Sequence, residues 1–248
     1  MKIGIIGTGN IGGTIARKLV AAGHSVRVAS AESLEDTKAF AEGIGAAAVE
    51  TSEIAKDVDV VIISVPTPAV AELGAHIFSD APANLIVVDT CNYYPGLRDA
   101  HIQEIEDGMV ESLWVSAQIG RPVIKAFGNL LAHSQAENGR PVGASDRIAM
   151  AVAGDDPADK EVVMKLVNDA GFDPVDAGSL AESWRQQPGT PAYCTDYDQE
   201  TLRAALAAAP RSGAGERRDH IMATMGERGW NLTHDEIIAL NRSVNPVN

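Results

Sequence analysis

The first thirty residues constrain this chain more than any other stretch, because they spell a complete βαβ half-unit around a glycine turn. Lys2-Ile3-Gly4-Ile5-Ile6 is a short apolar strand, Gly7-Thr8-Gly9-Asn10-Ile11-Gly12-Gly13 is a turn, and Ile11, Ile15 and Leu19 recur behind it at helical spacing. Ala21-Ala22-Gly23-His24 ends that helix, and Ser25-Val26-Arg27-Val28-Ala29-Ser30 reads as a second strand. In such a turn the first glycine permits the tight bend, the second lets the backbone approach a pyrophosphate, and the third lets helix and strand pack closely. Gly7, Gly9 and Gly12 stand at those places. The free N–H groups and the positive dipole end of the helix beginning near Asn10 would face the phosphates. The order strand, turn, helix, strand predicts dinucleotide binding; a Rossmann-like domain without a nucleotide is the plainer alternative.

Apolar strands go on alternating with helices. A helix is expected over residues 33–42, a weak strand over 46–49, a buried strand over 59–66 stopped by Pro66, and a helix running through Glu72 and Ile77. Further strands fall at 84–89 and 122–127, with a helix over 112–118 between them. That alternation predicts a parallel, doubly wound sheet. Beyond Asn129 it loosens to a strand over 147–153, a helix from Asp156-Pro157 to Ala170, a short strand over 174–176 and a helix over 199–209. Ser179 with Glu182, and Thr233 with Glu236, have capping-box spacing and predict two more helix starts. Residues 211–215 read as a linker. The expected architecture is α/β: a Rossmann-type domain over 1–129, a smaller and looser α/β part over 130–210, and a helical C-terminal extension over 211–248.

With 248 residues, 45% of them hydrophobic and 22% charged, the chain can bury a sizeable core and has the make-up of a soluble globular protein. No apolar run is long enough to span a bilayer, and a strand starting next to Met1 leaves no room for a leader, so a cytoplasmic location is expected. Two cysteines, Cys91 and Cys194, suit a reducing compartment. A net charge of −14 argues against nucleic acid and anionic membranes as partners. It opposes an anionic nucleotide too, so binding must rest on local backbone donors. The six histidines are scattered without metal-ligand spacing, and no metal is expected.

In an open parallel sheet the ligand sits beyond the carboxyl ends of the strands, where the crossover direction reverses. Four loops meet that condition: Thr8-Gly9-Asn10-Ile11, Ser64-Val65-Pro66-Thr67-Pro68, Thr90-Cys91-Asn92-Tyr93-Tyr94-Pro95 and Phe127-Gly128-Asn129. The last two are placed to meet a reactive ring, which makes Asn92, Phe127 and Asn129 ring-positioning candidates. Lys125, Tyr93, Tyr94 and Tyr193 could donate a proton, although Lys125 is expected to lie along its strand with its head in water. No residue is assigned as acid or base. Residues 182–194 carry aromatic, amide and cationic side chains, and Trp184, Arg185 and Tyr193 are the substrate candidates; the alternative is a rigid connection with Trp184 in the core.

Gly7-Thr8-Gly9-Asn10-Ile11-Gly12, Ser64-Val65-Pro66 and Val123-Ile124-Lys125-Ala126-Phe127-Gly128-Asn129 together resemble the NADP oxidoreductases that depend on the deazaflavin coenzyme factor 420. That family is similar in turn to the reductase domain of the STEAP metalloreductases and to a set of bacterial dinucleotide-binding enzymes. The resemblance runs through the Rossmann part and more weakly to Ala192. It implies NADP as cofactor, with Thr8, Gly9, Asn10 and Ile11 at the phosphates and Ser30 at the 2′-phosphate. Ser64, Val65, Pro66 and Ala126 would lie on the nicotinamide side, and the deazaflavin would be the hydride acceptor. Ala31 stands where the family usually carries an arginine, and Glu32 follows it, so NAD remains the alternative. Arg17, Arg27 or Lys38 could replace that arginine only if the fold brings one near.

The expected function is hydride transfer between NADP(H) and a small, conjugated-ring acceptor such as the deazaflavin. One alternative is reduction of a flavin, quinone, imine or metal chelate; another is a non-catalytic NADP-binding redox sensor. The extension after Arg211 has too little apolar periodicity for a core of its own, so it docks either on a second copy, giving a homodimer, or on its own chain.

Overall fold

In the computed structural model, which describes residues 1–30 and 34–247, the opening segment folds as β1 (Lys2–Ile6), α1 (Asn10–Ala21) and β2 (Ser25–Ala29). There follow α2 (Leu34–Ile44), β3 (Ala47–Ala48), β4 (Val60–Ile63), α3 (Ala69–Leu73), β5 (Ile86–Asp89), α4 (Gln103–Glu106), α5 (Glu111–Ile119) and β6 (Ile124–Lys125). All six strands are parallel and stand in the order β3-β2-β1-β4-β5-β6. Strand succession therefore reverses between β1 and β4, which is the Rossmann arrangement.

Strands covered on both faces have to be apolar throughout, and these are. Ile3, Ile5, Val28, Val60, Ile62 and Val88 face Ile15, Ala16 and Leu19 of α1 in one core. Their neighbours Ile6, Val61, Ile63 and Val87 face Val70, Trp114, Val115 and Ile119 in the other.

The remaining elements are α6 (Ala132–Glu137), β7 (Ala149–Val152), α7 (Pro157–Asp169), β8 (Asp173–Asp176), α8 (Gln199–Ala208), α9 (Ala214–Glu227) and α10 (His234–Val244). β7 and β8 form a separate parallel pair, linked to the large sheet by an antiparallel bridge between Lys125 and Ala153. Met150, Val152, Val163 and Leu166 share the core of α1, so the second sheet packs directly against the first unit. Asp156 caps α7 with Pro157 in its first turn, and Thr233 with Glu236 closes a full capping box on α10. Among the described residues no helix is long and apolar enough to cross a membrane.

Three elements differ from expectation. The helix through Glu72 and Ile77 is broken at Gly74, whose φ is +57°, into α3 and a 3-10 turn. Ser179 and Glu182 form no capping box: the Glu182 carboxylate takes the Arg185 guanidinium at 2.6 Å, and residues 180–186 wind as a 3-10 helix. The strand expected over 122–127 shrinks to β6 because Phe127 turns to φ +58°.

Candidate functional site

The phosphate end is built by β1 and α1. Gly7 has φ +102°, and a Cβ there would lie 2.1 Å from the Ser64 carbonyl oxygen. A Cβ on Gly12 would lie 2.1 Å from the Gly7 oxygen. Internal packing therefore fixes these two glycines. Gly9 is different: its φ of −66° and ψ of −167° suit any residue, and a Cβ would meet no atom within 4 Å. A side chain there would project into the open space at the start of α1. α1 has no side-chain cap and no acidic residue in its first turn, so its leading N–H groups stay available to an anion. Thr8 lies beside them, half-buried. This end of the site fits a pyrophosphate.

From it runs a cleft of about 350 Å³ along the carboxyl ends of the strands, within the size range of small-molecule sites. Gly9, Asn10, Ile11, Ser64, Val65, Pro66, Asn92, Phe127 and Tyr193 all line it, joined by Cys91, Tyr94 and Leu130. The Asn92 amide donates to the Gly128 oxygen at 2.9 Å, which leaves its buried Oδ1 without a partner. Phe127 holds a left-handed conformation that costs a non-glycine residue about 1–2 kcal/mol. Gln135 locks that turn by donating to the Phe127 oxygen at 2.9 Å and the Leu130 oxygen at 3.3 Å.

Other expected residues lie elsewhere. Asn129 stands behind the cleft wall: its Nδ2 donates to the Ala192 oxygen at 3.4 Å, its Oδ1 accepts the Ala151 N–H at 3.2 Å, and its own oxygen accepts Cys194 N–H at 2.8 Å. Ala126 is fully buried, its N–H donating to the Asp89 oxygen. Ser30 follows β2, with Oγ 2.9 Å from Thr37 Oγ1; Ala31 and Glu32 lie outside the described residues. Arg27 donates to the Glu53 oxygen and Arg17 stacks over Phe40. Trp184 is held between the guanidinium groups of Arg185 and Arg211, 4.6 and 4.8 Å from its ring. It faces a second cavity shared with Tyr93, and Arg185 is committed to Glu182. Of the three substrate candidates, the structure brings only Tyr193 to the cleft.

Lys125 is the clear correction. Its head is not in water: the side chain is fully buried, with Nζ 3.3 Å from Asp89 Oδ2 and a further hydrogen bond to the Cys91 oxygen. Asp89 also accepts Ser112 Oγ–H at 2.7 Å and Cys91 N–H at 2.8 Å. Such a pair braces the 90–92 loop beneath the cleft and offers no proton to it. Tyr93 is likewise engaged away from the cleft, its hydroxyl donating to Glu106 and accepting the Ile102 N–H. Tyr94 and Tyr193 do line the cleft, their hydroxyl oxygens 2.5 Å apart. Burial pushes both phenols well above their ordinary pKa, and burial likewise raises the thiols of Cys91 and Cys194.

Sequence reasoning missed Arg98, Leu130, Leu131 and Ala132, all in the lining. Arg98 pairs with Asp99 through two 2.8 Å bonds and stacks over Tyr94. The Pro95-Gly96 turn, with φ +71° at Gly96 and the Arg98 N–H donating to the Tyr94 oxygen at 3.2 Å, was the available signal for Arg98.

Residues 2–93 match the family described as NADP oxidoreductase, coenzyme F420-dependent. The protein YjhV of Escherichia coli (strain K12) is 49% identical over 108 residues, covering 44% of this chain and 79% of its own. The crystal structure of protein SMa0349 from Sinorhizobium meliloti is similar at 28% identity and TM-score 0.66, over 78% of this chain and 92% of that one. A structure described as an F420-dependent NADP-reductase from Arthrobacter sp. FB24 shares the fold at 18% identity and TM-score 0.60, over 92% and 95% of the two chains.

Proposed function

We propose that this chain, which belongs to the family described as NADP oxidoreductase, coenzyme F420-dependent, moves a hydride between NADP(H) and a conjugated-ring acceptor seated in the cleft beside Asn92 and Phe127. The observation that carries the reading is the single cleft joining the uncapped end of α1 to the loops after β4, β5 and β6. The N–H groups of α1 take the pyrophosphate, with Gly9 permitting its approach. Ser30, just past β2, takes the 2′-phosphate, which favours NADP over NAD. Ser64, Val65 and Pro66 border the nicotinamide, and the unpartnered Oδ1 of Asn92 accepts from its carboxamide.

NADPH supplies the hydride when bound. The protein contributes orientation: Phe127, Leu130 and Val65 line the cleft with apolar surface that would exclude water and favour stacking of the two rings, whose reacting atoms must come within roughly 3–3.5 Å for transfer. The deazaflavin coenzyme factor 420 is the acceptor the family suggests. The test is oxidation of NADPH and, separately, NADH by the purified protein with that coenzyme, followed by absorbance. Faster oxidation of NADPH is expected. Bound nucleotide that no deazaflavin, flavin, quinone or imine can oxidise would refute hydride transfer.

A further inference from the structure

We propose that Tyr94 and Tyr193 act together as the proton donor to the acceptor, which must therefore present a conjugated C=O or C=N group to the cleft. The inference rests on the hydride-transfer reading and narrows its substrate class.

The two side chains come from segments 99 residues apart and meet hydroxyl to hydroxyl at 2.5 Å in the cleft wall. Burial holds both phenols above their ordinary range, so both are protonated at neutral pH. Two neutral phenols joined by one hydrogen bond spend one hydrogen on it and leave one unspent, because each brings a single hydrogen. Val65, Pro66, Phe127 and Leu130 give the cleft apolar side chains, and Ser64, Thr90, Asn92 and Arg98 are polar members of its lining. A built-in donor in the cleft wall is a recognition element for a ligand oxygen or nitrogen.

The chemistry balances. The hydride leaves the dihydronicotinamide with both bonding electrons and forms a C–H bond at the electrophilic end of the acceptor. The displaced π electrons move to the heteroatom, which takes the hydrogen of one phenol as that O–H bond breaks. The phenolate left behind accepts the hydrogen bond of its partner and lies near the Arg98 guanidinium, 5.5 Å from the Tyr94 ring; solvent then returns its proton. The net change is consumption of NADPH and one proton per acceptor reduced. An acceptor that takes electrons without a proton, such as a ferric chelate, gains nothing from the pair.

The experiment compares the wild type with Tyr94→Phe, Tyr193→Phe and the double variant. NADPH oxidation is measured in H₂O and D₂O with factor 420, menadione, 1-pyrroline and ferric citrate, alongside NADPH binding and melting temperature. The expectation is that at least one of the first three acceptors is reduced and ferric citrate is not. Each variant binds NADPH normally but loses about 10²-fold or more in kcat, in the range typical of general acid catalysis. The solvent isotope effect of the wild type disappears in the double variant. Turnover in the double variant close to wild type, loss confined to NADPH binding or to folding in both single variants, or reduction of ferric citrate alone would overturn the proposal. If NADPH binds and no acceptor is reduced, the hydride-transfer reading falls first and this inference with it.

Discussion

Gly7, Gly9 and Gly12 look alike in the sequence, yet backbone neighbours require Gly7 and Gly12 and no protein atom requires Gly9. A Cβ at Gly12 collides with the Gly7 oxygen at 2.1 Å, while one at Gly9 meets nothing within 4 Å. Gly12→Ala should therefore cost stability, by about 1–3 kcal/mol or more as overpacking does. Gly9→Ala should leave the melting temperature alone and weaken NADPH binding by about tenfold, roughly 1.4 kcal/mol. Thermal melts and NADPH titration of both variants check the split; normal binding by Gly9→Ala would remove the pyrophosphate from this turn. The glycines were legible because their spacing is local. Lys125 was not: its partner Asp89 lies 36 residues away on the neighbouring strand, and nothing in the residues around Lys125 announces a buried carboxylate.

At the scale of elements, α5 shows two electrostatic effects in competition. Glu111 opens the helix, where the dipole favours a carboxylate by about 0.3–1 kcal/mol, and its Oε2 accepts the Tyr93 N–H at 3.1 Å. Burial outweighs both, together with the pull of Lys125, and raises the carboxyl from 4.5 to about 7. Because the folded state binds this proton more tightly, the contribution is fully present below 4.5 and is lost as pH rises through 7. That amounts to about 3 kcal/mol at 1.36 kcal/mol per pKa unit. Glu111→Gln keeps the acceptor and removes the charge, so its melting temperature should overtake that of the wild type between pH 5 and 8. Parallel pH dependences for the two proteins would refute the buried, protonated carboxyl. Helix α5 itself was readable from its apolar spacing, as were α1, α7 and the β strands. The 3-10 stretch over 180–186 was not, since Ser179 and Glu182 have a capping-box pattern and the Glu182–Arg185 ion pair diverts it. β6 ends early for a reason outside its own sequence: Gln135, eight residues on, holds Phe127 in its turn.

For the whole molecule the question left open by the sequence was where the C-terminal extension lies, because its weak apolar stripe names no surface. It docks on its own chain through polar bonds to the 188–196 loop, the segment that carries Tyr193 into the cleft. Arg217 Nε donates to the Gly189 oxygen at 2.8 Å and to Asn245 Oδ1 at 2.9 Å, and Arg242 donates to the Thr195 oxygen at 2.9 and 2.6 Å. Ser134 Oγ also meets His234 Nε2 at 2.8 Å. Such contacts involve single carbonyls between distant segments, so no periodicity reveals them, whereas the Rossmann sheet and its loops follow from patterns repeated along the chain. α9 thereby braces the segment that carries Tyr193 in the cleft wall. Gly189 is the point of closest approach: its φ is +83°, and a Cβ would lie 2.0 Å from the Ala214 oxygen. Gly189→Ala adds a left-handed penalty of about 1–2 kcal/mol to that collision, so α9 must shift and Tyr193 lose its fixed partner. NADPH binding should survive while acceptor turnover falls by an order of magnitude or more. Equal losses of binding and turnover would mean instead that the extension supports the whole fold and not the acceptor end in particular.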